Sequence, residues 1–296
     1  MPFHDSTDMT PIAHFNTRHG DIVVLKSRSS VAYWQDDRHQ SHADSRGISL
    51  AGYIHAIYGL LSQTRCRDVL MIGCGGGTLA TMLRVDGVNV TIVDINEWSF
   101  RISRQYFRMP SDVECHVGDG RDFLQACSRK YDAIVLDAYD GDDIPRQLRT
   151  RAFFDLVKSR LREGHGCFLA NVMMHNDRDR RLDHLARLMG AAWPLVRLLD
   201  APGTTDRNAI AMAGDVHTLE RPGLTIKPKT GSKDVIRALD ALSFCFPRDE
   251  LKRRRNLRTK ERPLEMDWAR PPDGQRLNGL SKDARENSTL AGYRGP

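Results

Sequence analysis

The chain has 296 residues, of which 40% are hydrophobic and 28% charged, with a formal net charge of +6. That balance suits a soluble enzyme with one large α/β domain and appendages, and no run approaches the roughly 18 consecutive apolar residues that a membrane span needs. The opening Met1-Pro2-Phe3-His4-Asp5 has no basic stretch followed by an apolar one, so a cytoplasmic location is expected.

The charge is uneven. Residues 219–296 hold 18 Lys+Arg against 11 Asp+Glu, a net of +7, leaving 26 against 27, or −1, for residues 1–218. The run Lys252-Arg-Arg-Arg255 has no interleaved aromatic residue on which a base could stack, so nucleic acid is not expected as a partner. The six cysteines stand singly, without a C-x-x-C pair, and neither a disulfide framework nor a metal site is expected. His39 and His42 flank Gln40-Ser41 and read as exposed loop histidines.

Residues 1–20 are polar and read as a flexible lead-in. Asp21–Leu25 and Ser30–Trp34 read as a β-hairpin, and Leu50–Leu61 has apolar residues at helical spacing, giving an N-terminal segment over 21–62. From Asp68 strand and helix alternate. Val69–Ile72, Val88–Val93, Val113–Val117, Ala133–Leu136 and Gly166–Ala170 are short apolar runs. Helices are expected from the glycine turn to about Val85, and over Glu97–Phe107, Arg121–Ser128 and Arg151–Leu161. Continuous apolar runs separated by helices predict a parallel sheet covered on both faces. With Val196–Leu199 and Asn208–Ala213 as a terminal antiparallel pair, the fold class is α/β, a Rossmann-like, seven-stranded, mostly parallel sheet over 63–218. Lys233–Leu242 reads as an amphipathic helix in a C-terminal extension over 219–247, and 248–296 as a disordered basic tail.

Four motifs fall at strand ends, where open α/β sheets bind ligands. Gly73-Cys-Gly75-Gly76-Gly77 follows the first strand and opens a helix; glycine permits the tight turn and a close approach by a ligand. Thr78 stands where a dinucleotide loop would carry its third glycine, which favours a nucleoside without a pyrophosphate. Asp94 ends the second strand and can accept ribose hydroxyls, or serve as a helix cap. Gly118-Asp119-Gly120 ends the third, placing a carboxylate that could accept the adenine amino group. Asp137-Ala-Tyr-Asp140-Gly-Asp-Asp143 follows the fourth as an acidic rim, with Asp137 nearest the strand end.

Val69–Leu79, Val93-Asp-Ile-Asn, His116–Gly120 and Asp132–Asp140 together resemble the successive motifs of the spermidine synthases, and Tyr53 with Gln40-Ser41 resembles that family's N-terminal segment. The likeness covers about residues 20–215. It implies transfer of an aminopropyl group from decarboxylated S-adenosylmethionine to an amine such as putrescine, in a homodimer without a metal. It further implies that Asp137 is catalytic and that Asp140 and Tyr53 hold the amine. Gly73, Gly75, Gly77, Asp94, Asp119 and Gly120 would hold the nucleoside. Two positions depart from the family: Gly76 stands where it carries Asp, and Ile54 where it carries His or Gln. The missing carboxylate at 76 leaves a methyltransferase using S-adenosylmethionine itself as the alternative.

Overall fold

The computed structural model describes residues 9–248. Two sheets organise them. The first is antiparallel, in the order β1 (Thr10–Thr17), β2 (Gly20–Lys26), β3 (Ser30–Gln35) and β4 (Arg38–Asp44). The expected hairpin is therefore only its middle. The lead-in over 1–20 contains β1, a largely exposed edge strand whose polar residues gave no alternation to read. The Phe15 ring holds it down, 4.8 Å from Trp98. His39 and His42 lie on β4, partly buried, with ring centroids 5.9 Å apart, rather than in an exposed loop. Burial and the neighbouring His42 hold the His39 pKa down at about 4.

α1 (Gly52–Leu61) leads into the larger sheet, in which β5 (Asp68–Ile72), β6 (Asn89–Asp94), β7 (Glu114–Val117), β8 (Ala133–Leu136) and β9 (Cys167–Met174) run parallel. β10 (Val196–Asp200) and β11 (Arg207–Gly214) form the antiparallel pair. An eighth strand, β12 (Ser243–Cys245), pairs with β10, so the order is β12-β10-β11-β9-β8-β5-β6-β7. Three residues are too few for a periodic signal, and the sheet has one strand more than the seven expected.

Helices α2 (Thr78–Val85), α3 (Glu97–Tyr106), α4 (Gly120–Ala126) and α5 (Arg151–Arg160) return the chain between strands. α6 (Arg181–Met189), not foreseen, buries Leu182, Leu185, Ala186 and Met189 at helical spacing. Within the C-terminal extension, α7 (Ser232–Asp240) lies against α1, where a Cβ added at Gly52 would stand 2.4 Å from the Ala238 Cβ. Two cores cover the sheet: Met71, Val135 and Leu169 join α1 and α2 on one face, and Leu70, Ile134 and Phe168 join α5 and α6 on the other. Strands buried on both sides explain why β5 and β8 read as unbroken apolar runs.

Arg248 is the last described residue, and its backbone N–H donates to Asp183 Oδ1 at 2.9 Å. The rest of the expected basic tail lies outside the described residues. Among the described residues no helix is long and apolar enough to cross a membrane.

Candidate active site

The glycine loop forms because its backbone enters regions closed to other residues: φ is +102° at Gly73, +50° at Gly75 and +66° at Gly77. A Cβ at Gly73 would stand 2.0 Å from the Asp137 carbonyl oxygen, so the first loop passes directly against the fourth motif. Ser41 on β4 accepts from the Gly76 N–H at 2.7 Å, and a Cβ at 76 would sit 2.8 Å from Ser41 Cβ and 2.9 Å from the Phe107 ring. The missing carboxylate at 76 thus has a local cause: Ser41 and Phe107 occupy its space.

Asp94 ends β6 beside this loop. Its Oδ2 accepts from Cys74 N at 2.7 Å and its Oδ1 from Asn96 N at 2.7 Å, while burial pushes its carboxyl above the usual range. It is not the helix cap, because Asn96 caps α3 by accepting from Trp98 N at 3.1 Å. Asp119 does cap a helix: its Oδ1 accepts from Arg121 N at 2.8 Å at the head of α4. Its Oδ2 accepts from Gln147 Nε2 at 2.9 Å. Gly120 is required by packing, since a Cβ there would meet Ile72 Cγ2 at 2.4 Å.

Two residues next to these acids were not singled out from sequence. Ile95 is 58% exposed and Val117 55%, although both follow or end strands of the buried sheet. Asp94 and Val117 are register partners across β6 and β7. Two bare aliphatic side chains flanked by Asp94 and Asp119 suit the faces of a flat base with polar edges. These carboxylate acceptors and apolar faces have the chemistry that an adenosine moiety would need.

Asp137 directly follows β8, its N–H bonded to Ile72 O at 2.8 Å. Asn171 Nδ2 on β9 donates to its Oδ1 at 2.8 Å, and the Tyr53 hydroxyl on α1 donates to its Oδ2 at 3.3 Å. Burial pushes the Asp137 carboxyl up, against these two hydrogen bonds. Burial and the Asp137 charge push the Tyr53 phenol well above its ordinary value. Ile54, the next residue, is buried in the core and takes no part.

The acidic rim divides. Asp142 pairs with Arg38 at 3.6 Å and Asp143 with Arg149 at 2.7 Å, while the Arg181 guanidinium donates to the Asp142 carbonyl at 2.5 Å. Asp137 and Asp140 form no ion pair with any described residue. Asp140 is exposed, and it hydrogen-bonds through its backbone, to Asp143 O at 2.9 Å, rather than to Asp137. Tyr139 between them has a buried hydroxyl that meets no partner of full hydrogen-bonding geometry among the described residues. A cavity of about 350 Å³ lined in part by Arg149, Val172, Arg181 and Leu185 opens beside this loop, on the α5–α6 face, whereas Tyr53 rises from α1 on the other.

Asn171 was missed because a polar residue ended the apolar run at Ala170, although β9 continues to Met174. No sequence pattern marks it. Tyr139 was at least adjacent to a recognised motif.

Residues 54–179 match the family described as the spermine/spermidine synthase domain. A "probable polyamine aminopropyl transferase" of Bifidobacterium longum is 30% identical over 173 residues, covering 56% of this chain and 38% of the relative. A polyamine aminopropyltransferase of Chromobacterium violaceum is 30% identical over 168 residues, covering 54% of this chain and 62% of the relative. The chain thus spans between about two-fifths and three-fifths of these relatives' lengths. The crystal structure of a "probable spermidine synthase" from Corynebacterium glutamicum superposes with a TM-score of 0.66 at 20% identity, over 82% of this chain and 94% of that one. In its central sequence and in its fold, this chain is spermidine synthase-like.

Proposed function

From that likeness and this site, we propose that the chain is a transferase moving the aminopropyl group of decarboxylated S-adenosylmethionine to a small amine such as putrescine. The carrying observation is Asp137: a strand-end carboxylate with no cationic partner among the described residues, held by Tyr53 and Asn171 beside the glycine loop.

Asp94 takes the ribose hydroxyls, and Asp119 with Gly120 the adenine edge, between Ile95 and Val117. Gly73, Gly75 and Gly77 let the loop backbone close on the nucleoside. An alkylamine with a pKa near 10 arrives as ammonium, drawn by Asp137, Asp140 and the oxygens of Tyr53 and Tyr139. Asp137 accepts one proton, which passes on to solvent. The freed nitrogen lone pair attacks the aminopropyl carbon next to the sulfonium; the C–N bond forms as the C–S bond breaks, and the electron pair returns to sulfur in a neutral thioether nucleoside. Burial strengthens Asp137 as a base by disfavouring its charge in the resting site. A homodimer and a cytoplasmic location belong to the same reading.

A second reading, methyl transfer from intact S-adenosylmethionine, is favoured by one observation: position 76 offers no carboxylate to repel a methionine carboxylate. Calorimetry with the two donors separates them. The aminopropyl reading expects the decarboxylated donor to bind more tightly. Intact donor binding at least tenfold tighter, about 1.4 kcal/mol, would overturn it.

A further inference from the structure

We infer that Asn171, backed by Asn208, is the positioning residue that fixes the Asp137 carboxylate for proton transfer, an inference that rests on the aminopropyl-transfer reading. Asn171 is 1% exposed on β9, with Ala170 and Val172 buried on either side of it. A buried amide in a core strand is costly unless both its ends are paired. Here both are: Nδ2 donates to Asp137 Oδ1 at 2.8 Å, and Oδ1 accepts from Asn208 Nδ2 at 2.9 Å.

The strand register makes the second bond available. Asn208 stands opposite Met173 in the β9–β11 ladder, so it is the diagonal neighbour of Asn171 on the same face of the sheet. Chemistry fixes the direction of the row. An ionised carboxylate only accepts, so Asn171 must turn its NH₂ to Asp137 and its carbonyl to Asn208. Each amide polarises the next towards the carboxylate. With Oδ1 held this way, Oδ2 keeps, among the described residues, only the longer contact from Tyr53 and is the oxygen with capacity for a substrate N–H.

Among the described residues, the titratable groups facing Asp137 are Tyr53 from α1 and Tyr139 from its own loop, with Arg181 and Asp143 behind Tyr139. None is a cation in contact with the carboxylate. The hydrogen bonds from Asn171 and Tyr53 are what favour its ionised form.

The test follows the Asp137 carboxyl carbon by NMR titration in the wild-type protein, N171A, N208A and the double variant, with D137N identifying the resonance. Kinetics are then measured at saturating donor and amine. N171A is expected to raise the Asp137 pKa and to move the acid limb of kcat upward with it. At the wild-type optimum kcat should fall about tenfold, equivalent to ~1.4 kcal/mol of barrier, with donor affinity unchanged. N208A should shift both readouts less, in the same direction, and add nothing to N171A, since Asn208 acts through Asn171. Asn171→Ser keeps a donor in a smaller side chain and replaces N171A if that variant does not fold. An Asp137 that titrates identically in N171A, or an N208A effect that persists in the double variant, overturns the inference. A wild-type protein that transfers no aminopropyl group to any amine would instead overturn the function, and the NMR titration would still decide the role of Asn171.

Discussion

The Tyr53 hydroxyl donates to Asp137 Oδ2 at 3.3 Å, joining residues 84 positions apart from the first helix and the fourth parallel strand. In the proposed reaction Tyr53 is a donor to the base as well as a wall of the amine site. Tyr53→Phe removes that donor and keeps the ring. It is expected to raise KM for the amine several-fold and to move the acid limb of kcat upward, because the ionised form of Asp137 loses a hydrogen bond. A pH–rate profile checks this, and a limb that stays in place contradicts it.

Asp137→Asn keeps the size of the side chain while removing the proposed proton acceptor. Turnover should fall by about 10³-fold, within the range for a positioned general base, and calorimetry should find nucleoside affinity unchanged.

The same substitution has a signed effect on stability. Burial holds the folded-state pKa of Asp137 above the ordinary carboxylate value. Its contribution to stability is therefore full below that ordinary value and is lost as pH rises through the folded pKa. D137N, neutral throughout, is expected to melt above wild type at about pH 8, with the gap closing as pH falls towards ~4. Thermal melts across that range check the sign; a gap independent of pH contradicts it.

Much of the fold was legible because its central strands are buried on both faces and therefore wholly apolar, as Ala133–Leu136 shows by matching β8 residue for residue. The strands that escaped are polar or short for physical reasons. β1 is an exposed edge, β4 turns Ser41 towards the glycine loop, and β12 has three residues. At the site the strand-end acids could be read in sequence, because parallel strands all carry their C-terminal ends to one side of the sheet. Asn171 could not, since its role depends on the β8–β9 and β9–β11 neighbours that only the folded sheet supplies. Nor could the pairing of Asp142 and Asp143 with Arg38 and Arg149, which leaves Asp137 and Asp140 as the rim carboxylates without a cationic partner among the described residues.

Asp94→Ala tests the nucleoside end. It removes the proposed ribose acceptor and frees Cys74 N, which Asp94 Oδ2 holds at 2.7 Å. Affinity for a thioether nucleoside should fall about 10- to 100-fold, at roughly 1.4 kcal/mol per decade. Calorimetry reads this directly, and unchanged affinity would remove Asp94 from the site.

Gly73→Ala tests the junction of loop and base. The residue has φ +102°, and a Cβ would stand 2.0 Å from the Asp137 carbonyl oxygen. A loss of about 2–4 kcal/mol in unfolding free energy is expected from the strain and the clash. Chemical denaturation measures it, and a neutral substitution would show that the loop does not press on Asp137.

The most direct measurement is mass spectrometry of the products formed from decarboxylated S-adenosylmethionine and putrescine. The aminopropylated amine and the thioether nucleoside should appear in equal amounts with the wild-type protein and be absent with D137N. A methylated acceptor formed from intact S-adenosylmethionine, with no aminopropylated product under any condition, would contradict the assignment.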